Sequence, residues 1–288
     1  MNDALAISGL RKSYPGFLLN DVSFRLPQGY IMGLIGPNGA GKTTVIKLIL
    51  NLVRREAGQI TVLGRDNRSD KAGVKSRLGF VLDTPAFYRY LTVARTASIV
   101  SGFYPGWDAA RFRELAGEFG LPPGKRVGSL SRGTQMKLSL ALALSHRAEL
   151  LVLDEPTAGL DPVFRRELLE RLSALIQDGR TSILFSTHIT SDLELLADYL
   201  TFLRKGEVVF SASREELQDR WLLVKGGPEL LEERYRPLFR AARKTEFGVQ
   251  ALTSRAEEAR RALAGLKVLF ERPTLDDIVF FMSKEAQT

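Results

Sequence analysis

A glycine-rich segment near the N-terminus constrains the fold of this chain more than any other feature. Residues Gly36–Thr43 (GPNGAGKT) fit the pattern G-x-x-x-x-G-K-[ST] at every required position. The apolar run Tyr30–Ile35 before it predicts a buried strand, and the apolar spacing of Thr43–Leu52 after it predicts a helix. Glycines between a strand and a helix let backbone N–H groups turn toward phosphate oxygens, beside the positive end of the helix dipole. The segment therefore predicts a phosphate-binding loop in an α/β fold.

Short apolar runs alternate with helical patterns along the first two thirds of the chain. This alternation is typical of an α/β fold with a largely parallel sheet. Prolines and aromatic residues interrupt it between about residues 84 and 148, so we interpret that segment as a helical insertion. The predicted strands are Ile60–Leu63, Phe80–Leu82, Leu150–Leu153 and Ser182–Phe185, and a predicted helix is Phe164–Ile176.

A different pattern begins near residue 216. We therefore predict two domains, the first spanning residues 1–215 and the second, a small α+β domain, spanning residues 216–288. The predicted elements of the second domain are the strands Trp221–Val224 and Phe247–Leu252 and the helices Glu229–Phe239 and Ala256–Leu266.

The composition excludes several classes of protein. Of the 288 residues, 44% are hydrophobic and 26% are charged, which are ordinary values for a globular protein. The absence of cysteine excludes disulfides and thiolate metal sites. The longest uncharged stretch, Leu26–Gly41, is too short and too broken by glycine and proline to span a bilayer. Because the N-terminal residues also lack the features of a signal peptide, we expect a cytoplasmic protein.

The net charge of +8 raises the question of an anionic partner. The excess is not a basic tail, since residues 211–288 hold 14 Lys or Arg against 13 Asp or Glu. The densest basic cluster, Arg65–Arg77, is more typical of a solvated loop than of a nucleic-acid patch. The net charge therefore neither predicts nor excludes a function on nucleic acid.

Two carboxylates follow the predicted strand Leu150–Leu153. Asp154 can hold Mg²⁺ beside the phosphate loop, together with the hydroxyl of Thr43. Glu155 comes next and can accept a proton from water that attacks the γ-phosphate. Lys42 can reach the β- and γ-phosphates. On their own the two acids could be solvated groups at a strand end, but with the phosphate loop they predict hydrolysis of a nucleoside triphosphate.

Two further features are weaker. Ser131 and Gly133 precede the helical run Met136–Leu144, where they suit either an anion or a simple helix N-cap. His188 follows a predicted strand, at the end of the sheet where ligands bind in such folds. A lone histidine is more often structural, and His146, inside a helical run, keeps that interpretation.

Taken in order, these segments resemble the motif set of ABC-type ATPases, the nucleotide-binding subunits of ABC transporters. The resemblance covers residues 4 to about 215. Gly36–Thr43 is similar to the Walker A motif, Leu150–Asp154 to the Walker B motif, and Leu130–Thr134 to the signature sequence. The single residues that match are Glu155 as the catalytic glutamate, Asp161 in the D-loop, His188 as the switch histidine and Tyr14 as the aromatic that stacks on adenine.

The resemblance implies a P-loop α/β core with an antiparallel β subdomain and the helical insertion. The small C-terminal α+β domain follows from the sequence pattern after residue 215. The resemblance also implies ATP and Mg²⁺ as cofactors, and a second subunit whose ATP the signature contacts. The implied catalytic residues are Lys42, Glu155 and His188, and the implied metal residues are Thr43, Asp154 and Asp83. The implied nucleotide-binding residues are Tyr14, Gly36, Pro37, Asn38, Gly39, Ala40, Gly41, Lys42, Thr43, Thr44, Ser131, Gly133 and Asp161.

Two positions depart from the family pattern. Asp83 stands after the predicted strand Phe80–Leu82, where the family usually has glutamine. A carboxylate there could still organise Mg²⁺ or its water, with a shorter reach. In the signature, Arg132 replaces the usual first glycine and Thr134 the usual glutamine, while Ser131 and Gly133 are retained.

The resemblance favours an ATP-hydrolysing subunit that energises a separate multi-span membrane permease, with an identical or different second ATPase subunit bound in an ATP-dependent manner. The motifs, including Pro273–Asp277, are similar to those of exporter-type systems. Such a subunit would be peripheral on the inner face of the cell membrane, with no specific nucleic acid as partner. The alternatives are a soluble ABC-type ATPase acting on nucleic acid or ribosomes, and a P-loop kinase. Only 89 positions separate Lys42 from Ser131, too few for a long coiled coil.

Overall fold

The computed structural model describes residues 2–283. The chain divides into two compact units, Met1–Val208 and Val209–Thr288. This division lies seven residues before the predicted end of the first domain at residue 215, which stays a prediction. None of the described helices is both long enough and apolar enough to span a bilayer.

The first unit alternates strands and helices, as the sequence predicts. Its strands are β1 (Asp3–Tyr14), β2 (Phe17–Pro27), β3 (Ile31–Ile35), β4 (Ala57–Val62), β5 (Arg65–Asp66), β6 (Leu78–Val81), β7 (Leu150–Asp154), β8 (Ser182–Thr187) and β9 (Tyr199–Arg204), and β10 (Glu207–Ser213) begins in this unit. Its helices are α1 (Lys42–Ile49), α2 (Lys71–Lys75), α3 (Val93–Ser101), α4 (Ala109–Glu118), α5 (Arg132–Ala143), α6 (Pro162–Leu175) and α7 (Thr190–Leu196).

A six-stranded sheet forms the centre of this unit, in the order β10-β9-β3-β8-β7-β6. Strands β3, β8 and β9 are parallel, as are β6, β7 and β8. Every residue of β3, β7 and β8 is buried, which explains the apolar runs Ile31–Ile35, Leu150–Leu153 and Ile183–Phe185 within these strands. Parallel strands end at the same edge of a sheet, so the loops after β3, β7 and β8 meet there.

A second sheet, with the order β2-β1-β4-β5, is antiparallel and confirms the predicted β subdomain. The two sheets share one core, in which Leu5, Leu19 and Ile60 from the antiparallel sheet belong to the same cluster as Val45 and Ile49 of α1. Helix α1, which follows the phosphate loop, is thereby fixed between the two sheets.

The helical insertion contains α3, α4, a short 3₁₀ turn (Val127–Ser129) and α5. Each helix begins at a side chain that accepts a backbone N–H: Thr92 for α3, Asp108 for α4 and Ser131 for α5. These caps fix the helix starts, so α5 begins at Arg132, four residues before the predicted run at Met136.

The second unit is a small α+β structure. Its elements are α8 (Arg214–Arg220), β11 (Leu222–Gly226), β12 (Ala241–Thr245), β13 (Gly248–Thr253), α9 (Ala256–Ala262), β14 (Leu269–Glu271) and α10 (Leu275–Ser283). The strands pair antiparallel in the order β12-β13-β11-β14. The predicted helix over Glu229–Phe239 is wrong. Two 3₁₀ turns, Pro228–Leu231 and Arg236–Leu238, occupy that segment, because Pro237 would remove a helix hydrogen bond and clash with the preceding turn.

Candidate nucleotide-binding site

The phosphate loop joins the end of β3 to the first residue of α1, as the sequence predicts. Gly39 and Gly41 have φ angles of 78° and 109°, in the left-handed region that favours glycine. A Cβ atom on Gly41 would also lie 2.8 Å from Cζ of Phe17. Both the backbone conformation and the close packing therefore require glycine, and the resulting turn can direct N–H groups at an anion.

The ammonium group of Lys42 lies over this loop. Its side chain is only 7% exposed, and Nζ donates a hydrogen bond of 2.7 Å to the carbonyl oxygen of Gly36. Nζ also lies 3.7 Å from Oε1 of Glu155. A buried cation held at this point, with further donors to offer, suits the terminal phosphates of a nucleotide.

Thr43 and Asp154 form the second part of the site. The hydroxyl of Thr43 donates a hydrogen bond of 2.8 Å to Oδ2 of Asp154. Asp154 is fully buried and its Oδ1 has no hydrogen-bond partner among the described residues. Burial raises the pKa of this carboxyl, and the negative charges of Glu155 and Asp83 add to the effect. A buried carboxylate with a free oxygen beside a hydroxyl is a donor set that fits Mg²⁺.

The described residues contain no group of three or more His, Cys, Asp or Glu side chains that could hold a metal. Mg²⁺ does not need such a group, because it keeps several waters and takes further ligands from phosphate when one or two protein oxygens hold it.

Glu155 and His188 form the third part. Nδ1 of His188 lies 2.9 Å from Oε2 of Glu155 and can donate to it. The Glu155 side chain is 12% exposed, whereas that of His188 is 51% exposed. The backbone of Glu155 has a φ of 50°, and its N–H donates to the carbonyl of Ser186 at 2.9 Å. This unfavourable conformation directs the carboxylate toward Lys42, as expected at a functional position.

The two departures from the family pattern contact each other. Nη2 of Arg132 lies 2.6 Å from Oδ1 of Asp83, although 49 positions separate the two residues. Asp83 also lines the cleft over the phosphate loop, a cavity of about 510 Å³ that includes Lys42, Thr43 and Glu155. The guanidinium at the start of α5 thus binds a carboxylate that faces the phosphate site.

Known proteins are similar to this chain over most of its length. The family model described as ABC transporter matches residues 19–158. The Nod factor export ATP-binding protein I of Rhizobium sp. (strain N33) is 33% identical over 96% of this chain and 95% of its own length. This chain belongs to the ABC transporter ATP-binding proteins. The lantibiotic transport ATP-binding protein SrtF of Streptococcus pyogenes is 34% identical over 77% of this chain and 98% of its own.

Solved structures agree with this family. A structure described as the ATP-binding subunit of an ABC transporter has a TM-score of 0.69 and 28% identity, and covers 75% of this chain and 92% of that one. The cbiO1 protein of Clostridium perfringens, part of the transporter complex cbiONQ, has a TM-score of 0.62 at 21% identity and supports the fold alone. The ABC transporter ATP-binding proteins, to which this chain belongs, bind ATP.

The ABC motifs fall into two groups in the structure. The first group lines the cleft over the phosphate loop, and it also includes Phe17, which the sequence analysis missed. Phe17 begins β2 directly after the turn at Pro15–Gly16. It is an aromatic residue only three positions after the motif aromatic Tyr14, and this closeness in the sequence could have identified it as a candidate. Tyr14 is 41% exposed at the end of β1 and does not line this cleft, so its contact with adenine stays a prediction. Besides Gly16 and Phe17, the residues that line the cleft are Pro37, Asn38, Gly39, Ala40, Gly41, Lys42, Thr43, Thr44, Asp83 and Glu155.

The second group lies outside that cleft. Ser131 is exposed at the start of α5, where its Oγ accepts the N–H of Thr134 at 3.2 Å. A Cβ on Gly133 would lie 3.2 Å from the carbonyl oxygen of Gly159, so the signature approaches the D-loop closely. Asp161 begins α6, accepts the N–H of Phe164 at 2.9 Å and lies 3.9 Å from Nζ of Lys137. The signature and the D-loop therefore share one surface.

A buried carboxylate that the sequence analysis did not identify stabilises the loop after Glu155. Asp192 accepts hydrogen bonds of 2.8 Å from the hydroxyl of Thr157 and from Nε of Arg165. It is 2% exposed. These contacts join the loop to α6 and α7 and position the segment that carries Glu155. No local motif contains Asp192, so only the tertiary structure identifies it.

Proposed function

We propose that this chain is the Mg²⁺-dependent ATP-hydrolysing subunit of an export-type ABC transporter and acts with a separate membrane permease. The observation that carries the proposal is that three pairs of groups meet at the phosphate loop. They are Lys42 with the loop carbonyl of Gly36, Thr43 with Asp154, and Glu155 with His188. Relatives named for Nod factor export support the direction of transport, and a relative named for lantibiotic transport supports a transport function.

The side chains at the site have separate roles in the proposed reaction. The loop N–H groups and Lys42 bind the β- and γ-phosphates of ATP. Thr43 and the free oxygen of Asp154 would hold Mg²⁺, which when bound neutralises phosphate charge. Glu155 accepts the proton of the attacking water at a carboxylate oxygen. His188 orients Glu155 through its 2.9 Å contact, and its imidazole would approach the γ-phosphate of bound ATP.

The surface shared by the signature and the D-loop supports a second ATPase subunit in the complex. One chain has one phosphate loop, yet Ser131 and Gly133 form another helix start suited to an anion, outside the cleft. We infer that this helix start contacts ATP bound to the partner subunit, and that ATP holds the two subunits together.

An apolar groove in the first unit supports a permease as partner. Its volume is about 440 Å³, and it lies next to Asp83, since Leu82 and Pro85 both line it. We infer that an apolar helical segment of the permease occupies it, which would place this subunit peripherally at the inner membrane face. The residues that line the groove include Leu82, Phe87, Ile99, Phe103, Tyr104 and Leu142.

The test is to isolate the tagged chain from membranes in detergent and to measure both ATP hydrolysis and the co-purifying proteins. The wild type should hydrolyse ATP only with Mg²⁺ and should bring down a multi-span membrane protein. Lys42→Ala should lose hydrolysis because no cation remains at the β/γ position. Phe103→Asp changes a groove residue that is 74% exposed, so it should keep hydrolysis and lose the membrane protein. Co-purification with ribosomes or nucleic acid instead would contradict the proposal.

A further inference from the structure

Most of the excess positive charge of the chain lies in the helical insertion. Residues 84–148 hold nine Lys or Arg against three Asp or Glu, a balance of +6 in a chain whose net charge is +8. The insertion also contains the groove proposed for the permease. The segment that contains the proposed permease groove therefore carries most of the chain's excess positive charge.

Backbone hydrogen bonds bring part of this charge onto one surface. The segments before α3 and before the 3₁₀ turn run antiparallel to each other. The N–H of Gly128 donates to the carbonyl of Arg89 at 2.9 Å, and the N–H of Val93 donates to the carbonyl of Lys125 at 3.1 Å. Thr92 and Arg126 form an antiparallel bridge between them. Arg89, Lys125 and Arg126 are thus neighbours across two adjacent segments.

These cations are exposed and make no ion pair with any residue that the structure describes. Arg89, Lys125 and Arg126 share this property with Arg95, which lies in the first turns of α3. Other cations of the insertion do pair, since Arg111 contacts Glu114 at 2.7 Å. The group of four is therefore a separate cationic surface that can meet external anions.

Two tyrosines lie within this surface. Tyr88 and Tyr90 are 66% and 68% exposed and flank Arg89 in the sequence, and their ring centroids are 5.7 Å apart. A tyrosine has an apolar ring and a polar hydroxyl, which suits the boundary between lipid headgroups and hydrocarbon. Tyr88 also lines the apolar groove, so the surface continues directly from the proposed permease site.

We propose that this cationic–aromatic patch, formed by Tyr88, Arg89, Tyr90, Arg95, Lys125 and Arg126, binds the anionic headgroups of membrane lipids beside the permease. Clustered lysines and arginines near an anionic leaflet are attracted to its surface potential, and exposed tyrosines add contacts at the headgroup level. The inference rests on the proposed membrane location, and it adds a second contact with the membrane that does not pass through the permease.

The experiment measures sedimentation of the purified full-length chain with vesicles. One set contains phosphatidylcholine alone and the other contains phosphatidylcholine with phosphatidylglycerol. The chain should sediment with the anionic vesicles, and the binding should weaken as salt is raised because the attraction is screened. Arg89→Glu combined with Arg126→Glu should lower the affinity at least about tenfold. Arg89→Gln with Arg126→Gln should have an intermediate effect.

The matched control reverses two exposed cations in the densest basic cluster of the sequence. Lys71→Glu combined with Lys75→Glu changes the net charge by the same amount, on α2 and outside the patch. This variant should bind anionic vesicles nearly as the wild type does. Tyr88→Ser with Tyr90→Ser should weaken binding while leaving its salt dependence unchanged, since no charge is removed.

Four outcomes would overturn the inference: no binding of the wild type to anionic vesicles, equal effects of the two charge reversals, wild-type binding by the patch variant, and tighter patch-dependent binding to a labelled oligonucleotide than to vesicles. ATP hydrolysis of every variant is measured in parallel, because the patch residues lie outside the nucleotide site. If the wild type hydrolyses ATP and binds the permease but does not bind anionic vesicles, only the proposal about the patch is contradicted. Absence of hydrolysis in the wild type contradicts the proposed function and leaves the lipid measurement valid.

Discussion

Asp83 is 40% exposed and Arg132 is 63% exposed, so their ion pair contributes only about 0–1 kcal/mol to stability. Its greater consequence is for the position of the Asp83 carboxylate. The same carboxylate lies close enough to Asp154 to raise the pKa of that group. If Mg²⁺ binds at Thr43 and Asp154 as proposed, Arg132 would therefore compete with it for Asp83, and the two departures from the family pattern compensate for each other in charge.

This competition can be measured with a double-mutant cycle. Arg132→Gln should release Asp83 and lower the Mg²⁺ concentration needed for half-maximal hydrolysis, because a carboxylate free of its cation binds a hard metal better. Asp83→Asn should raise that concentration. In the Asp83→Asn background, Arg132→Gln should have no further effect on it. The pairing would be irrelevant to metal binding if Arg132→Gln shifted the Mg²⁺ dependence equally in both backgrounds.

The buried carboxyl of Asp154 leads to a prediction about stability. Because burial raises its pKa in the folded chain, the folded state binds the proton more tightly than the unfolded state does. The ionised carboxylate thus lowers the free energy of unfolding of the nucleotide-free chain at neutral pH. This loss of stability disappears as the pH falls below the pKa that the Asp154 carboxyl has in the unfolded chain. Asp154→Asn should raise the thermal midpoint at pH 7 by roughly 2–4 °C, and it should abolish Mg²⁺-stimulated hydrolysis.

Thermal unfolding of both proteins, without nucleotide and Mg²⁺, tests this from pH 7 downward. The difference in midpoint between Asp154→Asn and the wild type should shrink as the pH approaches the acid range. A variant less stable than the wild type at pH 7 would mean that the hydrogen bond from Thr43 outweighs the burial of charge.

At the scale of elements, the sequence predicts well what is encoded locally. Strand β7 is a continuous apolar run with its carboxylate at the end, and every one of its five residues is buried. The prediction of a helix over Glu229–Phe239 is wrong because it takes no account of Pro237, which cannot continue a helix. The pairing of Asp83 with Arg132 could not be predicted, because it depends on how the ends of β6 and α5 lie in the folded chain.

The phosphate loop gives a prediction at this scale. Gly41→Ala places a Cβ 2.8 Å from the ring of Phe17 and also imposes an unfavourable φ of 109°. Gly64→Ala is the matched control, since Gly64 has a φ of 79° and nothing within 4 Å of the added Cβ. The control should lose about 1–2 kcal/mol of stability and keep nucleotide binding. Gly41→Ala should lose more stability and should also lose nucleotide binding. Calorimetry with and without ATP measures the stability and the nucleotide binding of each variant. Equal effects of Gly41→Ala and Gly64→Ala would mean that the structure around Phe17 accommodates the added Cβ without further loss of stability.

At the scale of the whole molecule, the two groups of ABC motifs have a consequence for assembly. The cleft with Lys42 and Glu155 and the surface with Ser131 and Gly133 are separate parts of one chain. The two surfaces could contact the same ATP only if one chain supplied the cleft and a second chain supplied the signature surface. ATP would then act as a bridge between chains, and its hydrolysis would remove the bridge.

Glu155→Gln tests this bridge, because the amide keeps the size of the side chain and cannot accept the proton. Hydrolysis should fall at least about 100-fold while nucleotide binding persists, so the variant should form a dimer with ATP and remain a monomer without it. Adding Ser131→Arg places a bulky cation on the exposed signature surface, and it should abolish the dimer while each chain still binds ATP. Light scattering after size exclusion measures both variants with and without ATP. If the double variant dimerised as readily as Glu155→Gln alone, the proposed role of the signature would be contradicted. The helix start at Ser131 would then lie outside the contact between the chains.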